Sequence, residues 1–155
     1  MAQQLNQFVQ APIVGMLDMK FNWNTKSAEI DASQVGSLAQ GQAVKIVDSA
    51  GGIPKVVGCT ADTDEVFGFI NYDIKSQLFV AGDRVEISQK GNVMFLVATA
   101  AVARGAQVVL DTAGGVYPAA LGSGKCLVGF ALDKATAPGD IIRVELSVPS
   151  FAVAP

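Results

Sequence analysis

The sequence predicts an all-β fold: a small antiparallel β-barrel or sandwich built on an internal duplication and preceded by an extended amino-terminal arm. Three observations predict it. Apolar and polar residues alternate at period two through several short runs; Gly, Asp, Asn and Pro punctuate the chain from residue 41 onward; and three blocks of sequence occur twice in the same order.

The first 35 or so residues stand outside the duplication and read as an arm leading into a first strand. Residues 1–10 are polar and glutamine-rich, with Phe8 and Val9 as their sizeable apolar pair. Residues 13–23 are more hydrophobic, and Phe21 and Trp23 share a face if the chain is extended. Residues 36–155 then form the barrel, in two related halves at about 41–88 and 105–148. Val44 and Ile46 flank Lys45, which is strand alternation. Asp48-Ser49-Ala50-Gly51-Gly52 reads as a hairpin turn, its aspartate accepting from backbone amides and its glycines supplying positive φ. The glycine inside Val66-Phe67-Gly68-Phe69-Ile70 marks a bulge, a bend or a close backbone approach. Gly82-Asp83 is a turn feeding the strand Arg84-Val85-Glu86-Ile87-Ser88, with Val85 and Ile87 inward.

Val93-Met94-Phe95-Leu96-Val97-Ala98 is apolar on both faces, as in a strand covered on both sides. Residues 98–104 could make one or two helical turns ended by Gly105, and residues 32–40 a short turn. The second copy of the blocks follows: Asp111-Thr112-Ala113-Gly114-Gly115, then Leu127-Val128-Gly129-Phe130-Ala131, then Gly139-Asp140 with Arg143-Val144-Glu145 two residues later than in the first copy. In the last strand Ile142, Val144, Leu146 and Val148 share one face, and Arg143, Glu145 and Ser147 the other.

Composition limits the function. Charged residues make up 16% of the chain and apolar types 50%, so part of the surface is expected to be covered by other subunits. The most apolar stretch, residues 93–103, is broken by Thr99 and is too short for a membrane span of roughly 18 residues. The amino terminus has no basic region and no long apolar run, so a secretory leader is not expected, and Cys59 and Cys126 are expected to stay reduced. The net charge is −3, and the 11 basic residues are scattered, which argues against nucleic acid as a partner.

Chemistry is hard to assemble from these residues. Histidine is absent, which removes the commonest general base and zinc ligand. Gly122-Ser123-Gly124-Lys125 lacks the upstream glycine and the hydroxyl residue of a phosphate loop. Asp62, Asp64 and Glu65 form a tight carboxylate cluster but lack the spacing of a helix-loop-helix calcium loop. Asp83 and Asp140 could pair as catalytic carboxylates, although their repeated turn context favours turn capping. Phe67, Phe69, Tyr72 and Phe130 could line a sugar-binding face, although strand aromatics are usually core. No enzyme, cofactor or metal site is expected.

The residues that carry a resemblance are Gly41 to Val44, the Val-Phe-Gly-Phe strand, Ala81-Gly82-Asp83-Arg84-Val85, Gly91-Asn92-Val93-Met94-Phe95-Leu96-Val97, and the closing Leu127-Val128-Gly129-Phe130-Ala131-Leu132 followed by Gly-Asp and Arg-Val-Glu-Leu. Over residues 35–148 the chain resembles tailed-phage head decoration proteins, also called capsid cement proteins. The resemblance implies a β-barrel or β-tulip domain, assembled as a homotrimer at three-fold and quasi-three-fold positions of an expanded capsid. It also implies the major capsid protein as partner, a virion location after synthesis in the host cytoplasm, and an arm that helps anchor each subunit. The arm residues expected to make that contact are Phe8, Val9, Ile13, Val14, Phe21 and Trp23. The expected structural turns and bends are Gly51, Gly52, Gly68, Gly82, Asp83, Gly114, Gly115, Gly129, Gly139 and Asp140. A competing expectation is a head-fibre or adhesin module that binds host glycans, and a third is a small hydrolase using Asp83 and Asp140.

Overall fold

The computed structural model describes residues 13–18, 24–73, 75–111, 114–119 and 125–149. Phe8, Val9, Phe21 and Trp23 lie outside these residues. The elements are β1 (Thr25–Ile30), β2 (Leu38–Ala39), β3 (Ala43–Asp48), β4 (Lys55–Gly58), β5 (Gly68–Ile70), β6 (Leu78–Phe79), β7 (Arg84–Ser88), β8 (Val93–Val97), β9 (Gln107–Leu110), β10 (Val116–Pro118), β11 (Leu127–Ala131) and β12 (Ile141–Leu146). Strands β1-β4-β3-β5-β7 close into a barrel, β10-β9-β11-β12-β8 form a five-stranded sheet, and β2 pairs with β6. All pairings are antiparallel except β1 with β4.

No α-helix occurs among the described residues. The alanine-rich run after β8 stays extended because its amides are taken by other strands: Thr99 donates to the Val116 carbonyl at 2.9 Å, and Val102 exchanges bonds with Ala135. Residues 38 and 39 form β2 instead of continuing a helical turn. Local alanine content loses here to tertiary pairing.

The duplication is visible in the register. Ile30 pairs with Val56 in parallel, as Ala98 bridges Val116. Ala28 faces Val85, as Leu96 faces Ile142. Val44 faces Gly68, as Val108 faces Gly129. Ile70 faces Ile87, as Ala131 faces Val144. The first barrel's β1, β4, β3, β5 and β7 therefore correspond in order to β8, β10, β9, β11 and β12. The second half repeats this strand order as a five-stranded sheet whose edges β8 and β10 meet, among the described residues, at the Ala98–Val116 bridge and the adjoining Thr99 hydrogen bond. Each half also has a lid: β2 on β6 with Leu38 opposite Phe79 in the first, Val102 opposite Ala135 in the second.

The register corrects one detail of the sequence comparison. Gly82 donates to Ile30 at 2.8 Å and Gly139 to Ala98 at 2.7 Å, and each strand begins directly after its Gly-Asp turn. Arg84 therefore corresponds to Ile141, not to Arg143. Arg-Val-Glu lies two positions further along β12, and nothing is inserted between turn and strand.

Two apolar clusters fill the halves. The first contains Ala28, Ile30, Leu38, Val44, Val56, Ile70, Phe79, Val85 and Ile87. The second includes Leu96, Ala98, Val108, Val116, Ala131, Ile142 and Val144, and it also takes Ala43, Val66 and Phe69 from the first half. Along β12 the buried residues are Ile142, Val144 and Leu146, with Val148 beyond the strand, each at most 1% exposed, so period two sends one face inward. Around β5 that period breaks. Val66 and Phe69 face the second cluster while Phe67 and Ile70 face the first. The equivalent β11 shifts register between Leu127 and Gly129, which leaves Val128 and Ala131 buried and Phe130 exposed. In both strands the side chains that face the second cluster are three residues apart, Val66 and Phe69 around Gly68 and Val128 and Ala131 around Gly129, and in β11 a register shift marks the glycine.

Candidate functional site

The turn residues sit at the ends of these strands. Gly51, Gly52, Gly82, Gly114 and Gly139 have φ between +85° and +97°. The Asp48 carboxylate accepts from Ala50 N–H at 2.8 Å across the first hairpin. Gly115 serves another purpose: a Cβ there would lie 2.6 Å from the Val97 carbonyl oxygen, at the seam where β10 meets β8. Gly68 and Gly129 also have no positive φ. A Cβ at Gly68 would collide with Ile87 and lie 2.5 Å from the Ser88 carbonyl oxygen, while one at Gly129 would overlap the Glu145 carbonyl. Ser88 and Glu145 occupy equivalent positions, so both halves solve the same close approach with the same residue.

Asp83 and Asp140 are turn caps in different halves. Asp83 accepts from Val80 N–H at 2.8 Å; Asp140 accepts from Thr136 N–H at 2.7 Å and Ala137 N–H at 3.0 Å. These amides hold the Asp140 carboxyl below the usual carboxylate range. Each is tied by its main chain to its own half: the Asp83 carbonyl accepts from Ile30 N–H and the Asp140 carbonyl from Ala98 N–H. They are not brought together.

The carboxylate cluster is divided in the same way. Asp64 takes Lys45 Nζ at 2.8 Å and the amides of Thr60 and Ala61. Burial works against its ionised form, but these donors prevail and lower its pKa. Asp62 pairs with Lys125 at 2.9 Å, and Lys125 also lies over the Tyr117 ring. Among the described residues no group of three or more His, Cys, Asp or Glu could hold a metal ion. Cys59 is a free thiol that burial pushes up to about 12, so it is not a reactive thiolate.

The aromatic residues considered for a sugar face are dispersed. Phe69 is sealed between the halves, Phe67 packs on the first cluster and Phe130 lies on the outside of the second half. Tyr72 alone borders a cleft of about 470 Å³, with Asn71, Asp73, Phe79, Arg84 and Glu86 around it.

The described part of the arm is built into the subunit. Residues 15–18 lie along β8: Gly15 N–H donates to the Phe95 carbonyl at 2.8 Å, Phe95 N–H to the Met16 carbonyl at 2.9 Å, and Asp18 N–H to the Val93 carbonyl at 2.8 Å. Tyr72 N–H donates back to the Gly15 carbonyl at 2.9 Å, so the segment links both halves. Ile13 and Val14, both half-buried, stand at its root, and the Val14 side chain occupies the space a Cβ on Gly41 would need. Arg143 is the clasp. It grips Asp133 with two nitrogens at 2.9 and 2.8 Å and reaches Asp18 at 3.3 Å.

The Arg143 hydrogen bonds hold the Asp133 carboxyl below its ordinary range. A lowered folded-state pKa contributes stability that is present above the unfolded value, near 4, and is lost as pH falls through the folded value. Arg143→Met is therefore expected to lower stability at neutral pH by about 1 kcal/mol, modest because the pair is partly exposed. Thermal melts at pH 7 and below pH 3 check this: the gap between wild type and variant closes in acid.

Six large apolar side chains are exposed among the described residues: Val35, Ile46, Val47, Leu78, Val80 and Phe130. Leu78 and Val80 lie on the outside of the first half's lid, where the second half carries Lys134 and Thr136 around Ala135. Of these positions sequence reading singled out Phe130 alone, as part of a possible sugar-binding face. The signal that finds them is the comparison of the two halves.

No curated protein sequence matches the chain. The fold is similar to the N-terminal base of the head fibre protein gp8.5 of bacteriophage phi29, with a TM-score of 0.52 and 12% identity over 86% of this chain and 100% of that one. Residues 1–147 match the family model described as structural cement protein (E217 gp24/Pam3 gp6), and the chain belongs to that family.

Proposed function

We propose that this chain is a structural virion protein that binds the outer surface of an expanded phage capsid and stabilises it, as a trimer at three-fold and quasi-three-fold positions in contact with the major capsid protein. The observation that carries the reading is the family match over residues 1–147, arm included. The composition supports it: a chain with 16% charged residues gains by burying surface against sibling subunits and a shell. Catalysis has no part in the proposal. Decoration needs area, rigidity and many copies, and a trimer engaging several shell subunits gains affinity through effective concentration without strong individual contacts.

Co-sedimentation with undecorated expanded shells tests the reading. Saturable binding that raises the shell's melting temperature is the expected result, and absence from the pellet at any concentration overturns it. The Tyr72 cleft, with Asp73, Arg84 and Glu86 at its border, favours one alternative, a module that binds host glycans. Binding to host polysaccharide without affinity for shells would select that alternative.

A further inference from the structure

We propose that the outer face of β11, centred on Phe130, is a self-association surface whose occupant is a second copy of this chain. The inference deepens the oligomeric part of the proposed function and rests on it. Register makes Phe69 and Phe130 equivalent: Phe69 follows Gly68 of β5 and faces Ser88, and Phe130 follows Gly129 of β11 and faces Glu145. Their surroundings differ. Phe69 is 1% exposed and belongs to the second half's core, whereas Phe130 is 40% exposed. The same face of the same strand order is thus seen twice in one molecule, once covered and once open. What covers it in the first half is the second half, a sheet of this same chain. Among the described residues nothing stands in that position relative to the second half.

The rim points the same way. In the first half the ring is flanked across its ladders by Ala43 and Ser88, both buried, as suits a permanent seam. In the second half the flanking residues are Gln107 and Glu145, both exposed. An aromatic anchor within a polar rim is the anatomy of an interface between chains that fold separately and then associate. Of the exposed large apolar side chains among the described residues, Phe130 is the one aromatic ring. A ring of three copies joins unlike patches head to tail, so a face present in the second half and consumed in the first meets that requirement without self-complementarity.

Sedimentation velocity of the purified chain without shells tests this, with Phe130→Gln and Gln107→Glu as variants. Gln107→Glu leaves the ring in place and sets a second carboxylate beside it opposite Glu145, so it carries the test if Phe130→Gln fails to fold. Wild type is expected to associate, and each folded variant to do so about tenfold more weakly or worse. A monomeric wild type, or variants that associate like wild type, overturns the proposal. Variants that associate normally but lose binding to shells assign the face to the capsid instead and also overturn it. Because association is read without shells, failure here is distinct from failure of the capsid-binding reading.

Discussion

Replacing Gly129 by alanine is expected to leave little folded protein, and Gly68→Ala to come close behind it. The added methyl at Gly129 overlaps the Glu145 carbonyl, with that group's carbon at 2.9 Å and the Leu146 Cα at 3.2 Å. These are backbone atoms of the neighbouring strand, so no rotamer change relieves the contact; β11 and β12 must move apart and the ladder between them must open. Overpacking that side chains can absorb costs about 1–3 kcal/mol. A clash against a ladder exceeds that range, which puts the expected loss at about 4 kcal/mol or more, a drop of at least about 10 °C for a domain of this size. At Gly68 one of the two colliding groups is the Ile87 side chain, which can yield in part. Gly82→Ala and Gly139→Ala are the comparison: both residues have φ above +85°, yet neither has an atom within 4 Å of the added Cβ. They pay only backbone strain, about 1–2 kcal/mol. Thermal melts of the four variants should therefore fall into two groups, and a Gly129→Ala protein melting with the Gly82→Ala protein would show that the bulge does not require glycine.

That contrast also explains how much of the molecule the sequence displayed. Gly68 and Gly129 were legible because both copies keep a glycine between the same apolar neighbours, and a strand interior rarely tolerates one without reason. The Gly-Gly hairpins and Gly-Asp turns were legible as turn chemistry. The correspondence between β1 and β8, the first strand of each half, was not. β1 reads Thr-Lys-Ser-Ala-Glu-Ile and β8 reads Val-Met-Phe-Leu-Val, and nothing in the letters relates them. The physical reason is that β8 takes residues 15–18 as an added strand along its edge and has no exposed residue, whereas Lys26 and Ser27 of β1 face water. Equivalent positions met different solvents and carry different residues. The Arg-Val-Glu match misled for the opposite reason: any strand with one wet face repeats such a pattern at intervals of two, so letters can agree two positions out of register. Phe69 and Phe130 mark a further limit. The same residue in the same local context is core in one half and surface in the other, and only tertiary arrangement separates them.

Deleting residues 1–12 is expected to leave the fold and the self-association intact and to remove binding to the capsid shell. Among the described residues the bonds that tie the arm to the body run from Gly15 to Asp18, and the cut spares the strand addition on β8, the Tyr72 link and the Arg143 clasp. It also spares Ile13, Val14, Phe21 and Trp23, and it leaves Phe130 and its rim untouched. What it removes is Phe8, Val9 and a polar glutamine-rich stretch that lies outside the sequence duplication. If those two side chains are buried on the shell, each arm contributes about 3 kcal/mol of contact, or about a hundredfold in affinity for one copy. In a trimer the loss compounds, because the arms act through a shared effective concentration. The truncated protein should therefore melt within about 2 °C of wild type and sediment with the same oligomeric state, yet stay in the supernatant when mixed with undecorated shells. Retention of full shell affinity after this deletion would move the contact onto the two halves, with the apolar lid formed by Leu78 and Val80 as the next surface to test.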